Sequence, residues 1–413
     1  MSNAERPFSL RSVALAAFLP TLLFSVGEGA IIPLIPLVAN DLGATLAVAG
    51  FIAAMIMLGE LVGDIPSGAI VSRIGERNAM LWASLLTIVS VLVCLVAPNP
   101  WVLGIGIFLI GIATAVFALA RHAFMASYVP RVYRARALST LGGVFRAGWF
   151  IGPILAAGLI YVTGSTRSAF WLFIACSLGA AVILFLLPDP AATFGERPAR
   201  GPAAAGRPAT LRAPGLFATI RDSRAVLVRL GTGAALVGAM RASRTVMLPL
   251  WAVSIGISAP HTALIIGIAG GIDFALFYVS GQIMDRFGRL WSAVPSMLGL
   301  AAGHLVLAVT HDLPTNVEWF IGIAMFLSLA NGIGSGLLMT LGADLAPVIG
   351  PAAFLGAWRF TADAGSAAAP LAVAGLTGVA TLSIASGAMG VLGLFGAILL
   401  YRYIPRYAPH RPR

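Results

Sequence analysis

Gly281-Gln282-Ile283-Met284-Asp285-Arg286-Phe287-Gly288-Arg289-Leu290 lies between two long apolar runs, and its reading decides the fold. A polar stretch this short between runs that long is a tight turn tying two membrane helices together. A weaker copy, Gly68-Ala69-Ile70-Val71-Ser72-Arg73-Ile74-Gly75-Glu76-Arg77, stands 213 residues earlier. The chain therefore reads as two versions of one membrane unit.

Composition agrees. The 413 residues are 59% hydrophobic and 10% charged, whereas soluble domains carry about 25% charged residues. Runs of about 20 apolar residues can cross a hydrocarbon core of about 30 Å. Only helices keep their backbone groups satisfied there without a closed barrel. The expected class is an all-α polytopic membrane protein with twelve spans, at 12–38, 46–70, 79–97, 101–128, 137–163, 168–187, 226–253, 261–284, 291–310, 317–343, 352–377 and 381–403. Residues 1–187 form one six-helix bundle and 222–413 a second with a basic tail. Between them, 188–221 is a linker rich in Pro, Ala, Gly and Arg. Residues 216–230 mix apolar positions with Arg221, Arg224 and Arg229, either a short helix on the anionic membrane surface or an extension of the seventh span.

The net charge of +11 does not indicate nucleic acid, because the arginines gather in one set of loops and tails. Among them are Arg73, Arg77, Arg131, Arg134, Arg136, Arg286, Arg289, Arg402 and Arg406; of the arginines outside the spans, only Arg167 falls on the opposite side. This asymmetry places both termini in the cytoplasm. Cys94 and Cys176 lie within apolar runs as small core residues. No nucleotide-binding loop, metal-ligand cluster or activated nucleophile is present, so neither enzyme activity nor a cofactor is expected. Energy must come from a gradient.

With the 213-residue offset Pro36 matches Pro249, Gly43 matches Gly256, Gly68 matches Gly281, Arg73 matches Arg286 and Gly75 matches Gly288. An insertion of four residues near the loop after the ninth span changes the offset to 217; Pro130 then matches Pro347, Gly148 matches Gly365 and Pro153 matches Pro370. At these residues the chain resembles the major facilitator superfamily over essentially its whole length. The turn with Gly281, Asp285, Arg286, Gly288 and Arg289 is similar to that family's gating motif, its first-half copy being Gly68, Arg73 and Gly75 with Ser72 in the acid's place. Gly148, Gly152 and Pro153 in the fifth span resemble the Gly-x-x-x-Gly-Pro motif of its drug:proton antiporters; tight helix packing is the plain alternative. The antiporters' arginine signature in the fourth span is missing, since its slot falls near Ile107 and Arg121 lies elsewhere.

Charged residues inside spans cost about 2.5–3.5 kcal/mol each on insertion scales and belong on the bundle interior. They are Glu28, Glu60, Asp64, Asp273 and Asp363 against Arg121, Arg146, Arg241, Arg244 and Arg359. The repeat sets Glu28 opposite Arg241, Arg146 opposite Asp363, and Glu60 opposite Asp273. Substrate and proton-coupling candidates are thus Glu28, Glu60, Arg121, Arg146, Arg241, Arg244, Asp273 and Asp363. One reading has Glu28 and Arg241 pairing and parting during transport, with Asp273 or Glu28 taking a proton; the other has permanent pairs within each half. His122 and His304 are read either as proton relays or as bonded core residues, and Trp149 and Trp358 as cavity-lining candidates. Trp251, Trp291 and Trp319 are read with them, as interfacial anchors.

The expected function is proton-coupled efflux of small amphipathic molecules by alternating access. The partners are a small-molecule substrate, protons and the lipid bilayer, and the protein acts as a monomer in a bacterial inner membrane. The alternatives are exchange or uptake of a small anionic metabolite through the arginine-containing cavity and, more remotely, a non-transporting membrane sensor.

Overall fold

The structure, a computed structural model, describes residues 17–129, 131–186, 216–347 and 351–408. The first half consists of α1 (Leu19–Ile31), α2 (Ile35–Asp41), α3 (Leu46–Ile74), α4 (Glu76–Leu95), α5 (Pro100–Tyr128), α6 (Arg131–Thr163) and α7 (Arg167–Leu186). The second consists of α8 (Leu216–Asp222), α9 (Arg224–Ser254), α10 (Ala259–Phe287), α11 (Leu290–Thr310), α12 (Asn316–Ile333), α13 (Leu337–Leu345), α14 (Pro351–Val379) and α15 (Leu382–Tyr407). Of the expected linker at 188–221, residues 188–215 lie outside the described residues, as do Pro130 and the first residues of the first span, whereas 216–221 are helical within α8.

Eleven membrane-length apolar spans stand among the described residues. The twelfth expected span is α14, 29 residues long. It carries Arg359 and Asp363, and much of its length is Ala and Gly, which dilutes its hydropathy without shortening it.

Two turns verify the repeat locally. Gly75 and Gly288 end their helices at φ +82° and +92°, and Gly43 and Gly256 turn the chain at φ +89° and +74°. Only glycine adopts such angles without strain. Packing verifies it globally. In the first half α3 lies against α5, α1 against α6 and α7, and α4 against α5 and α7; the second half repeats these pairings as α10 with α12, α9 with α14 and α15, and α11 with α12 and α15. The halves meet along two seams, α3 with α14 and α6 with α10.

Glycines set the closest approaches. An added Cβ at Gly152 would sit 2.2 Å from the Val26 carbonyl oxygen of α1, and one at Gly148 2.5 Å from Ser25 Cβ. Gly365 is equally tight against Ala235 of α9, as the repeat requires. Gly59 and Gly111 bring α3 onto α5 in the same manner. The α6 glycines are therefore packing residues, whatever else they do.

Two spans are broken. The first kinks through a short 3-10 segment, Ile32–Leu34, beside Pro33 and Pro36. The tenth, expected to be continuous, breaks at Gly334-Ser335-Gly336, where Gly336 has φ +79°. Side chains reach the freed carbonyls: Ser292 donates to Ile333, the single Ser280 hydroxyl lies between the Ile333 and Ser335 oxygens, and Arg241 donates to Gly334. Irregular backbone at membrane depth survives only with such partners.

Asp285 is 84% exposed, and Arg286 forms no ion pair with it; Arg289 instead grips Asp344 at the end of α13, Nε to Oδ2 2.7 Å, and reaches Asp285 only at 4.0 Å. In the first half Arg77 donates to the carbonyls of Leu184 and Phe185 at 2.6 and 2.7 Å, capping the end of α7. A guanidinium at a helix C-terminus satisfies orphan carbonyls and opposes the dipole. Between α8 and α9 the helix is interrupted at Ser223, so Leu216–Asp222 is a separate short helix against α14.

Candidate functional site

A cavity of about 400 Å³ lies between the halves, lined by residues of α1, α3, α5, α6, α9, α10, α12 and α14. Its walls include Glu60, Arg121, Arg146, Arg241, Arg244 and Asp273, six of the eight expected charged candidates. Glu28 stands behind the wall, 1% exposed, and Asp363 lies outside it in the α3–α14 seam.

Glu28 is held entirely by its own half. Thr114 Oγ1 donates to Oε1 at 2.8 Å and Trp149 Nε1 to Oε2 at 3.0 Å. Arg241, its counterpart, is held by the break in the tenth span through Gly334. The two do not form an ion pair in this conformation; each is engaged within its own bundle.

Asp273 on α10 accepts from Asn331 Nδ2 at 2.6 Å and Ser335 Oγ at 3.3 Å, and pairs with Arg244 Nη2 at 3.6 Å. Arg244 Nη1 donates to Ser328 at 2.7 Å. The broken span thus supplies Ser328, Asn331 and Ser335 to the site. The sequence reading passed over these residues, although the run Asn331-Gly332-Ile333-Gly334-Ser335-Gly336 is an unusual density of helix-breaking types for a span.

Of the four arginines lining the cavity, Arg121, Arg146 and Arg241 form no ion pair with a carboxylate among the described residues. Arg121 is 7% exposed with its guanidinium 4.7 Å from the Phe145 ring centroid. Arg146 lies 4.2 Å from the Phe277 centroid, a cation–π contact from one half to the other, with a long 3.4 Å bond to Gly142 O. The Nε atoms of Arg121, Arg241 and Arg244 are buried without a partner. Glu60 lines the cavity and forms no hydrogen bond or ion pair. On the α3–α14 seam Arg359 joins Asp363 at 3.1 Å to Asp64 at 3.5 Å, an ionic contact between the halves.

Both candidate histidines are hydrogen-bonded, His304 fully buried and His122 half-buried. His304 Nδ1 donates to Leu300 O at 2.8 Å, so its Nε2 accepts from the Ser243 hydroxyl at 3.0 Å. His122 Nδ1 bonds Ala118 O at 2.6 Å. Trp149 lines the cavity as expected; Trp358 does not, spending its N–H on Leu338 O at 2.8 Å. Trp291 and Trp319 are exposed, as interfacial anchors should be, whereas Trp251 is fully buried. Among the described residues no group of acidic, His and Cys side chains is arranged to hold a metal.

The halves touch closely at the end away from the termini, where a Cβ on Gly50 would meet Leu250 at 3.0 Å and one on Gly267 would meet Ile154 at 2.8 Å. Toward the other end a Cβ on Gly143 would meet the Tyr278 hydroxyl at 2.7 Å, while one on Gly68, Gly281 or Gly356 would meet nothing within 4 Å. The site is a central chamber between the halves.

Comparison with known proteins gives the same architecture. A family model described as "Major Facilitator Superfamily" matches residues 17–370. "Probable inositol transporter 2" of Arabidopsis thaliana is 25% identical over 191 residues, 45% of this chain and 32% of that protein. The "Galactose-proton symporter" of Escherichia coli (strain K12) is 24% identical over 185 residues, 45% of this chain and 40% of its own length. The chain thus matches less than half the length of these relatives. The inward-open structure of the xylose transporter XylE from E. coli superposes with a TM-score of 0.73 at 16% identity, covering 96% of this chain and 97% of that one.

Proposed function

Because the chain belongs to the Major Facilitator Superfamily, whose model spans residues 17–370, and is a multi-pass transporter and not an enzyme, we propose that it moves a small molecule through the central cavity by proton-coupled alternating access. Glu60 is the observation that carries this reading. Of the carboxylates in and behind the cavity wall, Glu28 is tied by two neutral donors and Asp273 by an arginine and two neutral donors, while Glu60 is tied by none. A carboxyl that can gain or lose a proton without breaking a bond suits a coupling site. The arginine asymmetry supports cytoplasmic termini, and the reading places the protein in a bacterial cytoplasmic membrane. The proposed unit is the monomer.

Export of amphipathic molecules, the direction suggested by the α6 resemblance, is the second reading. The steric role of Gly148 and Gly152 against α1 accounts for that motif by packing alone. The names of the relatives favour proton symport of sugars and polyols instead. The deciding experiment is flux in proteoliposomes loaded with a pH-sensitive dye and challenged with galactose, myo-inositol, benzoate and a cationic amphiphile, with the pH gradient imposed in either direction. Proton movement should accompany one substrate, and Glu60→Gln should abolish gradient-driven accumulation while sparing exchange. Transport indifferent to the pH gradient would refute the coupling.

A further inference from the structure

We propose that the cavity holds a small organic carboxylate between Arg146 of the first half and Arg241 of the second; this rests on the transport reading above and names its substrate class. The charge of the lining carries it. Arg121, Arg146, Arg241 and Arg244 face the cavity, while the acids that line it are Glu60 and Asp273. Asp273 is already taken by Arg244. An unpaired guanidinium in a low-dielectric wall is costly, and removing the partner of a buried charge is among the most destabilising changes known. A site that keeps Arg121, Arg146 and Arg241 without carboxylates is completed by an anion from outside.

Position narrows the choice. Arg146 comes from α6 and Arg241 from α9, and both line the same cavity from opposite halves. Like charges brought to one cavity from opposite bundles favour a counterion between them. Arg241 has committed one terminal nitrogen to Gly334 O and has its Nε buried and unbonded, and Arg146 has, besides the Phe277 face, only the long Gly142 hydrogen bond. Both keep donor capacity for the fork-shaped recognition that arginine offers a carboxylate. The remaining wall is apolar, with Ile32, Met57, Leu248, Ile266 and Phe274. Such a wall suits a carboxylate with an apolar body better than a fully hydrated inorganic anion.

The test is ligand binding by the purified full-length protein in detergent, without any gradient, so that it reports on the anion site and not on coupling. Benzoate and succinate are the carboxylate probes, inorganic phosphate the hydrated anion, and myo-inositol and galactose the neutral probes. Binding is read as thermal stabilisation and as quenching of tryptophan fluorescence, since Trp149 lines the cavity. A carboxylate should bind saturably, and Arg146→Gln or Arg241→Gln should each weaken it by about thirtyfold or more. Arg221→Gln, remote and exposed, should leave it unchanged. Arg146→Lys, which keeps the charge but loses the fork, should fall between and guards against a misfolded glutamine variant. The proposal is overturned if neither carboxylate binds, if phosphate alone binds, if the glutamine variants bind carboxylate like the parent, or if the neutral probes bind and the arginines do not matter. Failure of proton coupling with intact carboxylate binding would instead strike only the transport reading.

Discussion

Replacing Gly152 by alanine adds one methyl group at a place with no room for it. The new Cβ would lie 2.2 Å from the Val26 carbonyl oxygen and 2.7 Å from the Ala30 amide nitrogen. Both are backbone atoms of α1, so no side chain can rotate aside. Reaching an ordinary contact requires α1 and α6 to separate locally by about 1 Å, and a gap of about 0.5–1 Å forfeits a quarter to a half of each dispersion contact it opens. Overpacking of this kind costs about 1–3 kcal/mol. Alanine's better helix propensity returns up to about 1 kcal/mol, leaving a net loss of about 1–2 kcal/mol. The same shift draws Trp149 on α6 away from Glu28 on α1, so a stability effect and a transport effect should appear together. Reversible unfolding in mixed detergent measures the first, with Gly158→Ala as the control, because nothing lies within 4 Å of a Cβ there. If both alanine variants unfolded alike, the claim that α6 is glycine-bearing for steric reasons would fail.

Gly68→Leu and Gly281→Leu should be tolerated in the conformation described, since nothing lies within 4 Å of an added Cβ at either position; if the helix ends approach each other during transport, each should hinder that step, seen as ligand binding without turnover. Trp149→Phe removes one of two donors to a buried carboxylate, a bond worth about 1.5–3 kcal/mol, and should destabilise the protein in unfolding assays by most of that amount, whereas Thr114→Val tests the other. Asp344→Ala should cost up to about 1 kcal/mol, a surface-pair value because both partners are partly solvated, while Asp285→Ala should be neutral in the same assay. A double-mutant cycle with Arg289→Ala should return coupling only for Asp344.

The features legible in the sequence are those fixed by one residue's own geometry or by span length. Gly75 and Gly288 had to turn the chain, and a matched glycine pair 213 residues apart identified the repeat before any packing was known. Pairings were not legible. Trp149, 121 residues from Glu28, takes the role that symmetry assigned to Arg241, because an indole on α6 reaches the carboxylate inside the same bundle. Arg289 selects Asp344 over Asp285 for a similar reason: the break in the tenth span delivers a carboxylate to 2.7 Å, whereas Asp285 points into solvent. That break was itself hidden, since isolated glycines are common in membrane helices and only their combination with Asn331 and Ser335 marks an interruption.

Sorting the intramembrane charges by what they join separates those that rock with a bundle from those that must let go. Glu28 with Thr114 and Trp149, Asp273 with Arg244 and Asn331, and Arg241 with Gly334 are all internal to one half. A rigid rotation of one bundle against the other leaves them intact. Two other contacts span the halves, Arg359 to Asp64 and Arg146 over Phe277. The repeat shows them to be one contact built twice. Asp64 corresponds to Phe277, Asp363 to Arg146, and Arg359 to Gly142, which itself lies against Phe277. On one seam the link is ionic, through the long reach of Arg359 past a half-exposed position; on the other the arginine sits one turn along and uses an aromatic face. A partly exposed ion pair contributes about 0–1 kcal/mol and a cation–π contact about 0.5–2 kcal/mol. Both are weak enough to break if the bundles move against each other. In this conformation the charged contacts between the halves lie on the seams, while Glu28 and Arg241 each stay within their own half. An anion held between Arg146 and Arg241 would add a third link between the halves at the same depth, which ties occupancy of the cavity to the position of the two bundles.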